Sequence, residues 1–385
     1  IYVPTVSVTS IGEGGGSIAW VDDFGVLKVG PESAGADPGP ACFGKGEEPT
    51  VTDANLLMGL LSPDFFLGGD MSLDVERSKN AVQKVATTLE MDVIEAAHSI
   101  FTLANMSMAD EIIKVSTKRG YDVRQATMIA GGGGGPVHAG FIADRLNIPS
   151  VIIPHVASLY SAFGMYAMDI GEDYARSHVR RVDAAEPKDI GALYQEMEDE
   201  AFAAFDKIGV DKSLVKFRRT IDMRYIGQFH EVEVDVEGGE FSADSLAKAT
   251  EGFSEKHFDL FTFSMPWKGV ELLTLRVKAT TPNAPFKLPE IPSGGADATA
   301  AKKSVRPCYF GDGFVDVQVY DGSKLAADNE ITGPAIIEET TTTVVIPENY
   351  NCLVNANKNY VLTRKVAKKV TAENPAQGRQ EKINA

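Results

Sequence analysis

Five consecutive glycines, Gly131, Gly132, Gly133, Gly134 and Gly135, separate the apolar run Ala126-Thr127-Met128-Ile129-Ala130 from a helix-forming stretch that opens with Pro136. Five glycines in a row cost chain entropy that a routine turn does not require. At the carboxyl end of a parallel strand they let backbone approach a ligand closely. The helix that follows adds unpaired N–H groups and a positive partial charge. An anionic or nucleotide ligand suits both features; the plainer alternative is a tight βα turn with no ligand. No Gly-Lys-Ser/Thr follows, so the pattern is not a P-loop. Pro136 stands where a dinucleotide fingerprint places its last glycine, which disfavours a nicotinamide cofactor. His138 falls in the first helical turn, beside the glycines. It is expected to contact ligand as a neutral imidazole, its pKa lowered by the helix N-terminus.

Gly14, Gly15 and Gly16 with Ser17 interrupt a strand-like stretch, as either a β-bulge or a second close approach to ligand. Asp53 precedes an apolar run in Thr52-Asp53-Ala54-Asn55, and capping a helix is its ordinary use. A role in orienting the cleft, or in reaching a metal through water, is the functional alternative. Glu13, Asp22 and Asp23 lie near the first glycine cluster, and water is the usual neighbour of such acids. Cys42, in the Gly/Pro loop, has no identifiable histidine partner for a nucleophilic role. No GxSxG elbow is present.

The elements that must position these residues follow from periodicity. Strand-like alternation covers residues 1–30, and a long Gly/Pro loop covers 30–50. A helix is expected over 75–90. A longer one runs from Val93 to Lys118, with Asp92 as N-cap and Gly120 just past its end. Strand 126–130, the glycine turn, helix 137–146 and strand 151–154 make a βαβ crossover, which predicts two parallel, buried strands. Residues 158–169 read as a small-residue helix. Helices are expected at 190–207 and 242–258, a hairpin at 217–236 and a strand at 272–279. Composition places a domain over 1–180, an α+β domain over 181–285, a linker over 286–305, a small β module over 306–365 and a polar tail over 366–385.

The 385 residues carry 37 Lys and Arg against 54 Asp and Glu, a net charge of −17. Such a field repels phosphate backbones and anionic lipid, so nucleic-acid and membrane partners are not expected. The densest basic stretches, Arg176 to Arg181 and Arg364 to Lys369, are short. No apolar run reaches the ~18–20 residues of a membrane helix, and no signal peptide is visible. Three cysteines, Cys42, Cys308 and Cys352, are far apart and match no zinc spacing, as expected of free thiols in a reducing cytoplasm. The chain opens without methionine in strand-like sequence, as the ordered remainder of a longer protein would.

Several stretches in one order resemble the hydantoinase A/oxoprolinase family. They are Ile11-Gly12-Glu13-Gly14-Gly15-Gly16-Ser17-Ile18-Ala19-Trp20, the Val29 to Cys42 loop, Thr50-Val51-Thr52-Asp53-Ala54-Asn55, Phe66-Leu67-Gly68-Gly69 and Gly131 to Ala139. Asp222-Met223-Arg224-Tyr225-Ile226-Gly227-Gln228 and Gly333-Pro334-Ala335-Ile336-Ile337-Glu338 continue the series, so the likeness covers residues 5–363. It implies an α/β, actin-like and sugar-kinase-like (ASKHA) nucleotide-binding domain, followed by α+β and small β-rich C-terminal modules. It also implies ATP and Mg²⁺ as cofactors, a hydantoinase B-type partner subunit and a small-molecule substrate. The chemistry would be phosphorylation of a carbonyl or enolate oxygen, for ketone carboxylation or cyclic amide hydrolysis. In such folds Gly131–Gly135 and Ser161-Ala162-Phe163-Gly164 take the adenosine side. The family's Asp-Gly-Gly-Thr phosphate motifs are absent here. The expectation is therefore a C-terminal part, or a split subunit completed by another chain, active only in complex. A scaffold subunit with a vestigial nucleotide site is the alternative.

Overall fold

A computed structural model describes residues 8–282 and 287–365. In chain order the elements are β1 (Ser17–Val21), β2 (Leu27–Ser33), α1 (Val51–Leu57), α2 (Val75–Thr88), α3 (Val93–Thr117), β3 (Thr127–Ile129), α4 (Gly135–Leu146) and β4 (Ser150–Ile153). Next come α5 (Tyr160–Ala167), β5 (Ile170–Arg181), α6 (Pro187–Lys207), β6 (Lys216–Tyr225), β7 (Val232–Val236), α7 (Ala243–Phe261) and β8 (Val270–Thr281). The last group is all strand: β9 (Lys302–Tyr309), β10 (Phe314–Asp321), β11 (Glu330–Thr332), β12 (Ala335–Glu339), β13 (Thr342–Ile346), β14 (Tyr350–Val354) and β15 (Tyr360–Arg364).

The chain divides at Phe163/Gly164 and at Lys287/Leu288 into two compact units, the second being Gly164–Lys287. The first unit therefore takes both flanking segments. Its sheets are the β1–β2 pair, a four-stranded sheet in the order β13-β12-β10-β9, and a five-stranded sheet in the order β11-β14-β15-β4-β3. The long α3 starts at a reciprocal capping box between Asp92 and Glu95 and buries Ala96, Ala97, Ile100, Phe101 and Ala104. Its small residues let α1 and α2 pack closely on one core, with Val82, Val85, Leu60 and Val317. A second core lies beneath α4, where Ile142, Ala143 and Leu146 meet β4, β12 and β15.

The second unit is an antiparallel sheet in the order β5-β8-β6-β7 with its own core, in which Ile190 and Tyr194 of α6 and Phe253 of α7 cover Ile221, Leu275 and Val277. A buried ion pair, Arg219–Glu198 at 2.7 Å, and a half-buried one, Arg276–Asp222 at 2.8 Å, tie its strands and α6 together.

Several expectations change. β3 and β4 are parallel, joined by α4, but β3 is the sheet edge and Ile129 is 54% exposed, so only β4 is buried as expected. The boundary placed at 180 falls inside no break: β5 pairs along β8 and so belongs to the second unit. Residues 306–365 are not a separate module, because β15 pairs β4 and completes the first unit's sheet. The stretch expected as a linker is tied down, with Ile291 N–H donating to Ala356 O at 2.8 Å and Gly294 N–H to Ala327 O at 2.9 Å, and with Ala298 and Ala301 buried. The polar tail and the basic stretch beyond Lys365 lie outside the described residues, as do residues 1–7 and 283–286 of the strand and linker expectations.

Candidate functional site

The glycine turn sits where the βαβ pattern places it, between β3 and α4, and Gly131 to Gly134 are exposed. Its residues differ in what holds them. Gly132 has φ +88° and donates its N–H to Ala157 O at 2.6 Å, so backbone geometry demands glycine there. A Cβ on Gly131 would press on the Tyr160 ring at 3.2 Å. Gly133, Gly134 and Gly135 have no positive φ, and a Cβ on Gly133 would meet nothing closer than Thr341 O at 3.7 Å; on the other two it would meet nothing at all. Neither strain nor crowding accounts for glycine at those three positions.

Beside the turn lies a cavity of about 260 Å³. Leu61, Phe65, Phe66 and Val137 give it apolar walls, Gly15, Gly133 and Gly134 supply backbone, and Asn55 and His138 supply polarity. Thr52 and Leu67 add to these walls, and the β12–β13 hairpin closes the cavity with its tip, Thr340 to Thr343, and the Glu339 carboxylate beside it. Sequence reasoning missed this tip, although four adjacent hydroxyl residues were a signal. Thr342 Oγ1 donates to Gly133 O at 2.8 Å, and the Ser158 and Thr341 hydroxyls are 2.6 Å apart.

His138 is 5% exposed. Its Nδ1 lies 2.8 Å from Asn105 Oδ1, an acceptor, so Nδ1 carries the proton, and Nε2 accepts from Asn55 Nδ2 at 3.1 Å. The ring stacks on Phe101 with centroids 5.1 Å apart. Burial pushes its pKa down to about 4, so the imidazole is neutral as expected, but the cause is desolvation. With both ring nitrogens engaged, His138 joins α4 to α1 and α3 and has no lone pair free for general-base work. Asn55 and Asn105, its partners, were not flagged in the sequence as site residues.

Asp53 is fully buried and does not line the cavity. It closes a capping box with Thr50 and accepts five hydrogen bonds, from Ala41 N–H, Cys42 N–H, Thr50 N–H, Thr50 Oγ1 and Ser78 Oγ, between 2.6 and 3.1 Å. Its carboxylate is saturated, which corrects the expectation of a catalytic or metal-contacting Asp53: it pins the Gly/Pro loop to α1 and α2. Cys42 is buried beside it, and burial together with the Asp53 charge pushes the thiol up, away from any nucleophilic role.

At the first glycine cluster Ser17 Oγ accepts from Gly14 N–H at 2.8 Å and donates to Gly12 O at 2.9 Å. Ser17 is buried and closes this turn without lining the cavity, and the β1–β2 register shifts between Ser17 and Ala19, so the bulge reading applies here. A Cβ would strike Thr52 Oγ1 at Gly15 and Ser33 Oγ at Gly16, both under 3 Å, so tight packing selects these glycines. Only Gly15 reaches the cavity wall. Glu13 is half-buried, and burial pushes its carboxyl up. Asp22 caps its own turn, accepting from Val26 N–H at 2.9 Å.

Among the described residues no group of three or more His, Cys, Asp or Glu side chains is placed to hold a metal ion, and none of the helices is long and apolar enough to cross a membrane. Among the described residues the side chains supply no set of Mg²⁺ ligands.

The fold is mixed α/β, with an open glycine turn at the head of a crossover helix. Comparison narrows this. Residues 1–174 match the Hydantoinase/oxoprolinase family and residues 177–364 its C-terminal domain, and the chain belongs to that family. It is 36% identical to the caprolactamase subunit alpha of Pseudomonas jessenii over 94% of this chain and 53% of that one. It is 33% identical to the acetophenone carboxylase gamma subunit of Aromatoleum aromaticum, over 90% and 49%. A nucleotide-free acetone carboxylase structure, described as performing ATP-dependent acetone carboxylation, superposes with a TM-score of 0.81 at 26% identity, over 92% of this chain and 52% of that one. The chain spans about half the length of each of these three relatives.

Proposed function

We propose that this chain is the C-terminal part of a subunit that uses ATP to phosphorylate a carbonyl or enolate oxygen. The fold would be actin-like and sugar-kinase-like, with the adenosine side of the nucleotide at Gly131–Gly135. The observation that carries this reading is the open space at Gly133, Gly134 and Gly135. Glycine costs stability there without a local structural return, which is what close approach of a ligand to backbone requires. Relatives described as ATP-dependent support the ligand. Bound ATP would supply the phosphoryl group that makes a poor electrophile or nucleophile reactive.

The chain's own residues bind and orient. The glycine turn offers N–H groups at the start of α4. The Asn105–His138–Asn55 bridge holds that helix against α1 and α3 without introducing charge. Asp53 shapes the Gly/Pro loop from beneath. Relatives named as subunits support a partner, proposed here as hydantoinase B-type, together with a polypeptide that supplies the phosphate-gripping half. Cyclic amide hydrolysis and ketone carboxylation are both compatible with this role.

Substitution at Gly133 tests the reading. A Cβ there meets nothing closer than Thr341 O at 3.7 Å and the backbone has no positive φ, so Gly133→Leu is expected to fold and to lose binding of a non-hydrolysable ATP analogue, by calorimetric titration, by roughly tenfold or more. Unchanged binding in Gly133→Leu refutes the assignment.

A further inference from the structure

The polar bridge through His138 leaves one atom unused. His138 donates its Nδ1–H to Asn105 Oδ1 at 2.8 Å, so its Nε2 carries a lone pair and must face a donor. Asn55 turns its Nδ2 to that nitrogen at 3.1 Å. The bridge thus sets the sense of the Asn55 amide and leaves the carbonyl Oδ1 over. Asn55 is 4% exposed and lines the cavity beside the glycine turn. Its buried Oδ1 has no hydrogen-bond partner among the described residues. A buried acceptor in that state costs stability, and a ligand that donates an N–H to it removes the cost.

The rest of the lining narrows the ligand. Leu61, Phe65, Phe66 and Val137 suit an apolar body. Among the described lining residues there is no Lys or Arg, and the carboxylate in the wall, Glu339, already takes up Lys358 at 3.4 Å. His138 is neutral, so the cavity offers an anion no cation and does not suit a phosphate. What suits it is a neutral apolar ring with an N–H donor on its edge. Of the two purine bases, adenine carries an amino group at position 6, whereas guanine carries an oxygen there, which would face Oδ1 as a second acceptor.

We propose that this cavity takes the base of the nucleotide, with the adenine 6-amino group donating to Asn55 Oδ1, and that Asn55 thereby selects adenine over 6-oxo purines. The inference rests on the nucleotide reading above and adds to it the direction in which the nucleotide enters and the residue that reads its base. The neutral end goes in, and the phosphates stay outside the cavity, for the polypeptide proposed to grip them. The Asn105–His138–Asn55 bridge then does more than join three helices: it keeps the reading amide from turning over.

Asn55 also braces His138, so the experiment varies the ligand and leaves the protein intact. The 385-residue chain is titrated calorimetrically with adenosine, with purine riboside, which lacks the 6-amino group, and with inosine, which carries an oxygen in its place. Adenosine should bind most tightly. Purine riboside and inosine should each bind roughly tenfold or more weakly, since both leave the buried acceptor unpaired. Purine riboside or inosine binding as tightly as adenosine overturns this inference and leaves the nucleotide reading standing. A chain that binds none of the three removes the nucleotide reading, and this inference with it. The second measurement locates the base: adenosine should shift the Asn55 side-chain amide signal in the nitrogen-15 NMR spectrum. An adenosine preference with that signal unmoved places the base elsewhere and also overturns the proposal.

Discussion

Acidification should weaken the first unit through the His138 imidazole. His138 is neutral in the folded chain, with a pKa of about 4 against the usual 6.5. A folded pKa below the unfolded one means that the unfolded chain takes up the proton first. The stabilisation is therefore complete above pH 6.5 and drains away as pH falls from 6.5 towards 4. At about 1.4 kcal/mol per pH unit, that interval is worth about 3 kcal/mol in all, and about 2 kcal/mol is already lost at pH 5. The assay is urea unfolding at pH 7.5 and pH 5, comparing wild type with His138→Gln. The chain has two tryptophans. Placing both proteins on a Trp267→Phe background leaves Trp20, whose indole N–H donates to Gly30 O at 3.0 Å, to report the first unit. Other titrating groups are common to both proteins and cancel. His138→Gln should be less stable at pH 7.5 yet lose about 2 kcal/mol less on acidification. Equal acid losses in the two proteins, within about 0.5 kcal/mol, would show that burial does not hold the His138 ring neutral.

Further outcomes follow from neighbouring residues. Gly134 has φ −91° and ψ −20°, with open space for a Cβ. Gly134→Ala should therefore raise stability in urea by about 0.5 kcal/mol while weakening nucleotide binding, a trade visible only if the glycine serves a ligand. Asp53→Ala strands three buried N–H groups and two hydroxyls and should cost about 3 kcal/mol or more, read as a lower urea midpoint for the Trp20 transition. The thiols of Cys42, Cys308 and Cys352 are buried and pushed up, Cys352 to about 12. Iodoacetamide at pH 8 should leave all three unmodified by mass spectrometry until urea is added.

Local sequence signals located much of the scaffold. The apolar repeat and Asp92 cap of α3 are written within one segment, as is the strand, glycine turn and helix of β3 and α4. What was not legible depends on distant partners. A capping role for Asp53 is visible in Thr50 to Asn55, but the loop at Ala41 and Cys42 and the Ser78 hydroxyl that saturate it are brought in by tertiary folding. The first-turn position of His138 is local, whereas Asn55 and Asn105 arrive from two other helices. The Thr340 to Thr343 run read only as strand, because nothing nearby shows that a hairpin tip will reach Gly133. The limits of the compact units depend on distant partners for the same reason. Composition changes near residue 180, yet strand pairing, β5 with β8 and β15 with β4, determines where each unit closes.

The first and last strands of the second unit are neighbours, with Ile170 of β5 directly opposite Thr281 of β8. A region whose two ends meet in this way can be spliced into a host polypeptide at one spot, and it needs no rethreading of the host's sheets to be enlarged, trimmed or exchanged. Evolution could thus vary this cassette independently of the glycine-turn machinery, and a protein engineer could replace it with a short Gly/Ser bridge.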